Sequence, residues 1–198
     1  INSLDIGSIH NDEADASWYF DDVTGAPLDS KLVIEARAVE IQFFKDKGVY
    51  DYDTYANAFR RTKKKPIAVR WVDVNKGDDV KPDYRSRLVA KEINTGANDD
   101  LFAATPTIEA LKIILRIASH RRSKSNKLKV MFADVRRAYF NAPATRDLFV
   151  QLPPEDPRYG ESNMCGKLNL SMYGTRDAAQ HWERECASKL IHWGFTKG

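Results

Sequence analysis

The residue in this chain best placed to do chemistry is Asp134, which follows the apolar run Met131-Phe132-Ala133 and precedes Tyr139 by five positions. A carboxylate at the end of a rigid strand can hold a divalent metal ion, and paired metal ions stabilise the oxygens of an in-line displacement at phosphorus. An aromatic ring one turn further along can lie beneath a sugar. A lone aspartate in such a place is more often a turn or cap residue, and adjacent aromatic residues are more often part of a core. The neighbouring sequence therefore decides between these interpretations.

Basic residues are concentrated in the middle of the chain, although the formal net charge is only +3. Residues 1–30 contain seven acidic residues and no lysine or arginine, whereas residues 60–91 contain eleven Lys or Arg and four Asp. Such a basic block favours a polyanionic partner, because neutralising phosphates releases counterions. A solvated loop would give the same composition. The candidate nucleic-acid contacts are Arg60, Arg61, Lys63, Lys64 and Lys65.

The remaining reactive residue types indicate no second centre. Cys165 and Cys186 are too few for a disulfide framework, and neither has a Cys or His at metal-ligand spacing. No stretch of about 18 apolar residues occurs, and the first residues are acidic, so neither a membrane span nor a secretory signal is predicted. We therefore expect an intracellular protein with reduced thiols, not a secreted one.

The elements that must position these residues show no regular alternation of strand and helix. Apolar periodicity and end signals predict helices over about 30–47, with Ser30 as N-cap, and over 105–122 and 176–193. Alternating apolar residues predict a basic β-hairpin over 67–74 and 84–93, and further strands over 128–134, 147–152 and 167–170. The strand at 128–134 is apolar enough to be central in a sheet. This order is typical of an α+β fold.

Helical spacing also predicts which face of each helix is buried. The predicted faces are Leu32, Ala36, Val39 and Phe43 in the first helix, Ile108, Leu111, Leu115 and Ala118 in the second, and Ala178, Trp182, Cys186, Leu190 and Trp193 in the third.

Five blocks of sequence are informative together, namely Arg70-Trp71-Val72 with Tyr84–Lys91, Phe102–Pro106, Asp134–Phe140, Leu148–Pro153 and Lys167–Trp182. In this order they resemble the copia-type LTR retrotransposon reverse transcriptases. Arg70-Trp71-Val72 with Tyr84–Lys91 looks like that family's fingers hairpin, and Phe102–Pro106 resembles its Phe-Ser-Pro segment. Asp134–Phe140 resembles the first catalytic motif, Asp-Val-x-x-Ala-(Tyr/Phe)-(Phe/Leu). Leu148–Pro153 is similar to Ile-Tyr-Met-Glu-Gln-Pro, and Lys167–Trp182 to Lys-Leu-x-Lys-Ser-Leu-Tyr-Gly-Leu-Lys-Gln-Ala-Pro-Arg-Ala-Trp. Each block is modest alone, but five in order make a strong signal.

The resemblance implies an RNA-directed DNA polymerase with a partial right-hand fold. The expected α+β architecture is a fingers β-hairpin and an incomplete palm sheet with packing helices. The expected organisation is an acidic flexible leader over 1–29, an accessory helix and linker over 30–59, and fingers with partial palm over 60–198. We interpret the chain as an excerpt of a longer reading frame that stops before the second carboxylate motif.

The resemblance also implies roles for residues at matching positions. Asp134 and the Val135 carbonyl would bind metal, with two Mg²⁺ ions in the complete enzyme, and Tyr139 would be the sugar gate. Arg87 would contact the incoming triphosphate, assisted by Lys81 or Arg85. The template–nucleotide floor would be lined by Tyr173, Gly174 and Arg176. The implied partners are an RNA template, an RNA–DNA hybrid, a dNTP and other polyprotein regions such as RNase H and integrase, in a cytoplasmic particle or the nucleus and without a membrane.

Several positions depart from the family pattern. Asp177 stands where the family has Gln, Ala179 where it has Pro, and Glu92 where it has Gly after Lys. The second metal motif, (Tyr/Phe)-x-Asp-Asp, does not follow Asp134, and the similar Tyr19-Phe20-Asp21-Asp22 precedes it and is more simply an acidic turn. We therefore expect residues 1–198 alone to be inactive. The alternatives are a decayed or domesticated remnant that acts at most as a nucleic-acid-binding module, and a fragment without function.

Overall fold

The structure, a computed structural model, describes residues 18–92, 107–120 and 130–196. Helices and small sheets are interspersed along these residues, which confirms the α+β class. The described residues divide into two compact units, the first formed by those within 1–40 and 71–87 and the second by those within 41–70 and 88–198. Within the described part of the chain, no helix is both long and apolar enough to cross a membrane.

Most elements are short apart from the first helix. In chain order they are β1 (Tyr19–Phe20), β2 (Pro27–Leu28), α1 (Ser30–Lys47), β3 (Tyr50–Thr54), α2 (Tyr55–Thr62), β4 (Val69–Asn75), β5 (Tyr84–Ala90), α3 (Ile108–His120), β6 (Phe149–Val150), β7 (Met164–Leu168) and α4 (Ala178–His192). A 3₁₀ helix, Ala138–Asn141, lies between α3 and β6 in sequence.

The local sequence explains where α1 begins and ends, and the predicted helix is confirmed. The Asp29 carboxylate accepts the Leu32 N–H at 2.9 Å, so Asp29 caps the helix and the predicted cap, Ser30, is its first residue. Gly48 follows the helix with φ +64°, in the left-handed region that glycine adopts without a steric penalty. The predicted apolar face is shifted, because Val39 is exposed while Glu40 is buried.

The first unit is held together around an ion pair. Arg37 in α1 donates to both oxygens of Asp73 in β4, with an Nη2–Oδ2 distance of 2.6 Å, and the Ser86 hydroxyl in β5 donates to the same carboxylate. The Arg37 guanidinium also lies 4.8 Å from the centre of the Tyr19 ring and 5.1 Å from that of Trp71. A bidentate pair between aromatic rings joins β1, α1, β4 and β5 more firmly than an exposed ion pair would.

Asp21 and Asp22 lead from β1 into a turn at residues 22–24, so the acidic turn is as predicted, while Tyr19 and Phe20 belong to the strand. Asp21 Oδ1 accepts the amides of Val23 and Thr24, each at 2.8 Å, and Oδ2 accepts the amide of Asn75 at 2.8 Å. The backbone hydrogen bonds from Thr24 and Asn75 hold the pKa of the Asp21 carboxyl below its usual value. This carboxylate is therefore engaged in fixing a turn.

The second unit is built on a three-stranded antiparallel sheet in the order β3-β7-β6. In its register Tyr50 lies opposite Leu168, and Phe149 lies opposite Lys167. Gly166 occupies the central strand, where a Cβ atom would stand 2.8 Å from the Tyr50 ring. The predicted strands over 147–152 and 167–170 are therefore present, the first shortened to β6 and the second shifted to β7.

Aromatic rings from three segments fill the centre of the second unit. Phe140 in the 3₁₀ helix is fully buried, with ring centroids 5.0 Å from Phe44 and 5.6 Å from Phe43. Tyr50 in β3 lies edge-on to Phe44 at 5.8 Å. Each such pair contributes about 1 kcal/mol beyond the burial of its area. This cluster fixes the position of the 3₁₀ helix.

The strand predicted over 128–134 is wrong in its described part, residues 130–134. These residues are irregular, and Met131 and Phe132 expose 68% and 70% of their surface. An apolar run becomes a strand only where a neighbouring strand completes its hydrogen bonds, and none of the strands in the described ranges pairs with it. Residues 128 and 129 lie outside the described residues.

The second predicted helix is confirmed as α3, but three of the four residues of its predicted inner face are exposed, and Ala118 is half-buried. Ile108, Leu111 and Leu115 are all exposed. Helical periodicity identifies an apolar face and does not say whether another element covers it. The predicted start of this helix at Thr105-Pro106 lies outside the described residues. In α4 the predicted face is buried at Ala178 and exposed at Trp193.

Candidate active site and basic groove

Asp134 and Val135 lie in the irregular segment that leads into the 3₁₀ helix, and both are exposed. Among the described residues no group of three or more His, Cys, Asp or Glu side chains is arranged to hold a metal ion. A two-ion site needs several oxygen ligands around each ion. One exposed carboxylate and one carbonyl do not meet that requirement, so the residues present do not by themselves fit two Mg²⁺ ions.

Arg137 turns the chain from Asp134 into the 3₁₀ helix. Its φ of +51° is left-handed, a conformation that costs a non-glycine residue roughly 1 kcal/mol. Its guanidinium lies 4.0 Å from the centre of the Phe43 ring, and this cation–π contact offsets a comparable amount, about 0.5–1 kcal/mol. With Phe140 anchored in the core, the preceding Tyr139 is left half-buried at its edge.

Tyr139 and Tyr173 are neighbours, although they come from distant parts of the sequence. Their ring centroids are 4.6 Å apart at an angle of 50°. Tyr173 also lies edge-on to the buried Phe140, at 5.4 Å. The two half-buried rings are tilted against each other and, with the core residue Phe140, pack as one aromatic cluster. Both tyrosines were assigned to the nucleotide on resemblance, and the structure brings them together.

Gly174 has a backbone reason to be glycine. Its φ is +82°, and a Cβ atom there would collide with the Ala90 carbonyl oxygen. The Ala90 N–H donates to the Tyr173 carbonyl at 2.8 Å, and the Glu92 N–H donates to the Gly174 carbonyl at 3.3 Å. Gly174 therefore permits the close approach of residues 173–174 to residues 90–92, which holds Tyr173 in place.

Beside this turn, one arginine binds two carboxylates that the sequence analysis had marked as departures. Arg146 donates to both oxygens of Glu92, at 2.9 and 2.7 Å, and to both oxygens of Asp177, at 2.6 and 3.2 Å. Glu92 also accepts the backbone N–H of Arg176 at 2.9 Å, and its Oε1 lies 3.3 Å from Arg176 Nε. We call Glu92, Arg146, Arg176 and Asp177 the arginine–carboxylate cluster. It joins the end of β5, the segment before β6 and the start of α4.

The cluster keeps both carboxylates ionised. Burial alone would raise the pKa of Glu92, but the hydrogen bonds from Arg146 and from the Arg176 amide outweigh it and lower that pKa. The pKa of Asp177 is likewise lowered, since the hydrogen bonds and charge of Arg146 overcome the effect of burial. The two carboxylates in turn raise the pKa of Arg146 against its own burial. The two arginines and two carboxylates of the cluster therefore carry no net charge together.

The sequence shows Glu92 and Asp177 as acids where the family has neutral residues, but it does not identify Arg146 as their partner. The signal in the sequence is the presence of two extra acids, since an acid shielded from solvent needs a compensating cation. Arg146 could not be chosen from spacing, because it lies far from both acids in the sequence. The negative charge that Asp177 brings in place of the family's Gln is therefore compensated by Arg146.

A groove of about 660 Å³ runs beside the cluster. Of the five basic residues predicted to contact nucleic acid, Arg61, Lys64 and Lys65 line it. The other two do not. Arg60 donates to Asn57, and Lys63 is the left-handed residue that ends α2. The remaining charged residues of the lining are Lys91, Glu92, Arg146, Asp147 and Arg176.

The three basic residues assigned to the triphosphate all lie in the first unit, whereas the tyrosine pair and Gly174 lie in the second. Arg87 is an exposed residue of β5. Arg85 forms an exposed ion pair with Asp83, with an Nη2–Oδ2 distance of 2.7 Å. The Lys81 amide donates to Asp78 within the loop between β4 and β5. Their roles stay predictions.

Comparison with known proteins identifies relatives of this chain. Residues 52–198 match the family model described as reverse transcriptase (RNA-dependent DNA polymerase). The chain is 29% identical over 124 residues to the retrovirus-related Pol polyprotein from transposon TNT 1-94 of Nicotiana tabacum, an alignment that covers 60% of this chain and 9% of the relative. It is 29% identical over 136 residues to the Pol polyprotein from transposon RE1 of Arabidopsis thaliana, covering 66% and 9%. No solved structure matches the chain significantly.

Proposed function

The chain belongs to the reverse transcriptase (RNA-dependent DNA polymerase) family, which confirms the resemblance to copia-type retrotransposon polymerases, and we propose that it supplies part of the polymerase of a retrotransposon polyprotein. The chain spans only 9% of the length of the relatives that it matches. The proposed activity, transfer of a deoxynucleotide onto a primer 3′-hydroxyl under the direction of an RNA template, is therefore an activity of the complete protein.

The observation that carries this proposal is the pairing of Tyr139 with Tyr173 above the Gly174 turn. It supports a nucleotide floor, because a rigid aromatic surface can lie beneath the sugar or base of an incoming nucleotide. In this proposal Tyr139 is the sugar gate, and Gly174 and Arg176 complete the floor. The triphosphate contacts are assigned to Arg87, with Lys81 or Arg85 assisting.

Reverse transcriptases generally depend on a divalent metal, and we assign one ligand position to Asp134 and another to the Val135 carbonyl. The described residues do not complete a site, and residues 135–198 contain no Asp-Asp pair. Residues 1–198 alone are therefore proposed to be inactive. When bound in the complete protein, Mg²⁺ would supply charge stabilisation for the transfer.

The proposed partners are an RNA template, its hybrid with the growing DNA, a dNTP and the other regions of the polyprotein, with RNase H and integrase as the expected ones. The groove lined by Arg61, Lys64 and Lys65 supports contact with phosphates. The proposed domain organisation keeps residues 60–198 as fingers and partial palm, 30–59 as accessory helix and linker, and 1–29 as leader. We place the complete protein inside the cell, in a particle or the nucleus.

The test is primer extension on an RNA template by the complete protein and its Asp134→Asn variant. Loss of a metal-binding carboxylate should lower the rate by several orders of magnitude, while binding to an RNA–DNA hybrid changes little because Asp134 lies outside the basic groove. Equal extension by the two proteins would refute the role of Asp134. Equal loss of extension and hybrid binding would indicate misfolding instead.

A second candidate function is a nucleic-acid-binding module without catalysis, which the basic groove favours. Its test is binding of residues 1–198 to an RNA–DNA hybrid over a range of salt concentrations. Phosphate contacts predict a logarithm of affinity that falls linearly with the logarithm of salt. Binding with this dependence, and no extension by the complete protein, would favour the module over the enzyme.

A further inference from the structure

The basic groove carries more positive charge than its own carboxylates neutralise. Its walls present six basic and two acidic side chains. Arg61 is paired with Asp147, and Arg146 is paired with Glu92. The groove residues that have no ion-pair partner among the described residues are Lys64, Lys65 and Lys91. A groove lined by more basic than acidic side chains is electrostatically complementary to the phosphate groups of a polyanion.

Arg176 also lines the groove, and Glu92 holds its side chain only loosely. The Arg176 Nε atom lies 3.3 Å from Glu92 Oε1 and, although buried, has no hydrogen-bond partner in the described ranges. The reason is that Glu92 is already occupied by two nitrogens of Arg146 and by the Arg176 backbone N–H. A carboxylate with these partners has no room for a second forked pair.

We propose that Arg146 is a positioning residue of this groove, which saturates Glu92 and Asp177 and so keeps the Arg176 guanidinium available to phosphate oxygens. Without Arg146, Glu92 would draw the adjacent Arg176 into a bidentate pair of its own. The ligand class is a polyphosphate or a phosphodiester chain. Its identification with the nucleotide or the template rests on the proposed function, whereas anion binding by the groove does not.

Binding to residues 1–198 tests this proposal, with inorganic tripolyphosphate as one probe and fluorescein-labelled oligothymidylate as the other, both without divalent metal. The first variant is Arg146→Met, which keeps the length of the side chain and removes its charge. Affinity for the groove's ligand should fall about tenfold or more, as expected when a charge-assisted hydrogen bond to a ligand is lost.

Two double variants with the same net charge separate positioning from general electrostatics. Arg146→Met with Glu92→Gln removes the group that would capture Arg176, and the glutamine oxygen can still accept the Arg176 amide. Arg146→Met with Asp177→Asn removes an equal charge and leaves Glu92 free to capture Arg176. The first pair should regain affinity within about twofold of the unsubstituted chain, while the second should stay about as weak as Arg146→Met.

Equal recovery in both double variants would show that only net charge matters and would overturn the proposal, as would no loss in Arg146→Met. If Arg146→Met fails to fold by circular dichroism, Arg146→Lys replaces it. Lysine keeps the charge but cannot form both forks, so affinity should fall roughly threefold and return when Glu92→Gln is added. No response to Glu92→Gln in this background would equally overturn the proposal.

The two probes distinguish the source of the phosphate, because a nucleotide site favours tripolyphosphate and a strand groove favours oligothymidylate. Failure of the proposed function has a different signature. Extension would be absent from the complete protein, while the matched double variants would still differ in anion binding.

Discussion

At the scale of single residues, the position of the Tyr139–Tyr173 pair depends on backbone conformations that few residues tolerate. Arg137 is left-handed before the 3₁₀ helix, and Gly174 is left-handed beneath Tyr173. The arginine is compensated by a contact with the Phe43 ring. The glycine has no such alternative, because the Ala90 carbonyl occupies the space where a side chain would begin.

Gly174→Ala should therefore destabilise the second unit markedly. The left-handed backbone costs an alanine roughly 1 kcal/mol, and displacing residues 90–92 should add about 1–3 kcal/mol, as overpacking does. Urea denaturation followed by circular dichroism measures the change in the free energy of unfolding.

Gly160→Ala is the matched control, since Gly160 has a nearly identical φ of +83° and nothing within 4 Å of its added Cβ. It should cost only the backbone term of roughly 1 kcal/mol. Equal losses in the two variants would contradict the assignment of close approach to Gly174.

The arginine–carboxylate cluster predicts a dependence of stability on pH. Glu92 and Asp177 have folded pKa values below their ordinary ones, so their stabilisation is present at neutral pH and is lost as pH falls through those lowered values. The free energy of unfolding should decrease below about pH 4, and less steeply when Glu92→Gln and Asp177→Asn are combined. Urea denaturation over a pH series checks this, and parallel curves for the two proteins would refute it.

At the scale of elements, the sequence predicts those helices and strands whose signals lie within the element itself. Helix α1 has an apolar periodicity, a cap at its start and Gly48 at its end, and the hairpin β4–β5 has alternating residues around a turn. Residues 130–134 have an equally apolar sequence but are irregular. Whether an apolar run becomes a strand depends on a partner elsewhere, which a local pattern does not contain.

The segment between β6 and β7 shows the same dependence on distant residues. The buried carboxylate of Asp156 accepts the Tyr50 hydroxyl at 2.6 Å and the Tyr52 hydroxyl at 3.1 Å, both from β3. The pKa of Tyr50 is raised by its burial and by Asp156, so the hydroxyl remains a donor over the ordinary pH range. These bonds anchor the segment to the sheet.

Tyr50→Phe should accordingly lower the free energy of unfolding by about 1.5–3 kcal/mol, the range for a hydrogen bond to a charged group. Tyr52→Phe should cost less, because Tyr52 is more exposed and its bond is longer. Thermal or urea denaturation of both variants measures the two losses in the free energy of unfolding. A larger loss in Tyr52→Phe would contradict this account of the anchor.

At the scale of the whole molecule, the site was only partly predictable. The motif positions Tyr139, Tyr173 and Gly174 were identified by resemblance, and the structure brings them together in the second unit. The compensation of Glu92 and Asp177 by Arg146 was not predictable, because three distant segments supply the charges. The basic residues at 60–65 were identified as a block, but only the fold decides that Arg61, Lys64 and Lys65 line the groove.

The measurement that tests the central claim most directly compares RNA-templated primer extension by residues 1–198, by the complete protein and by its Asp134→Asn variant. We predict extension by the complete protein in the presence of Mg²⁺, and background levels for residues 1–198 and for the Asp134→Asn variant. Extension by residues 1–198 alone would contradict the claim that this chain holds only part of an active site. Absence of extension by the complete protein would contradict the assignment as a functional polymerase.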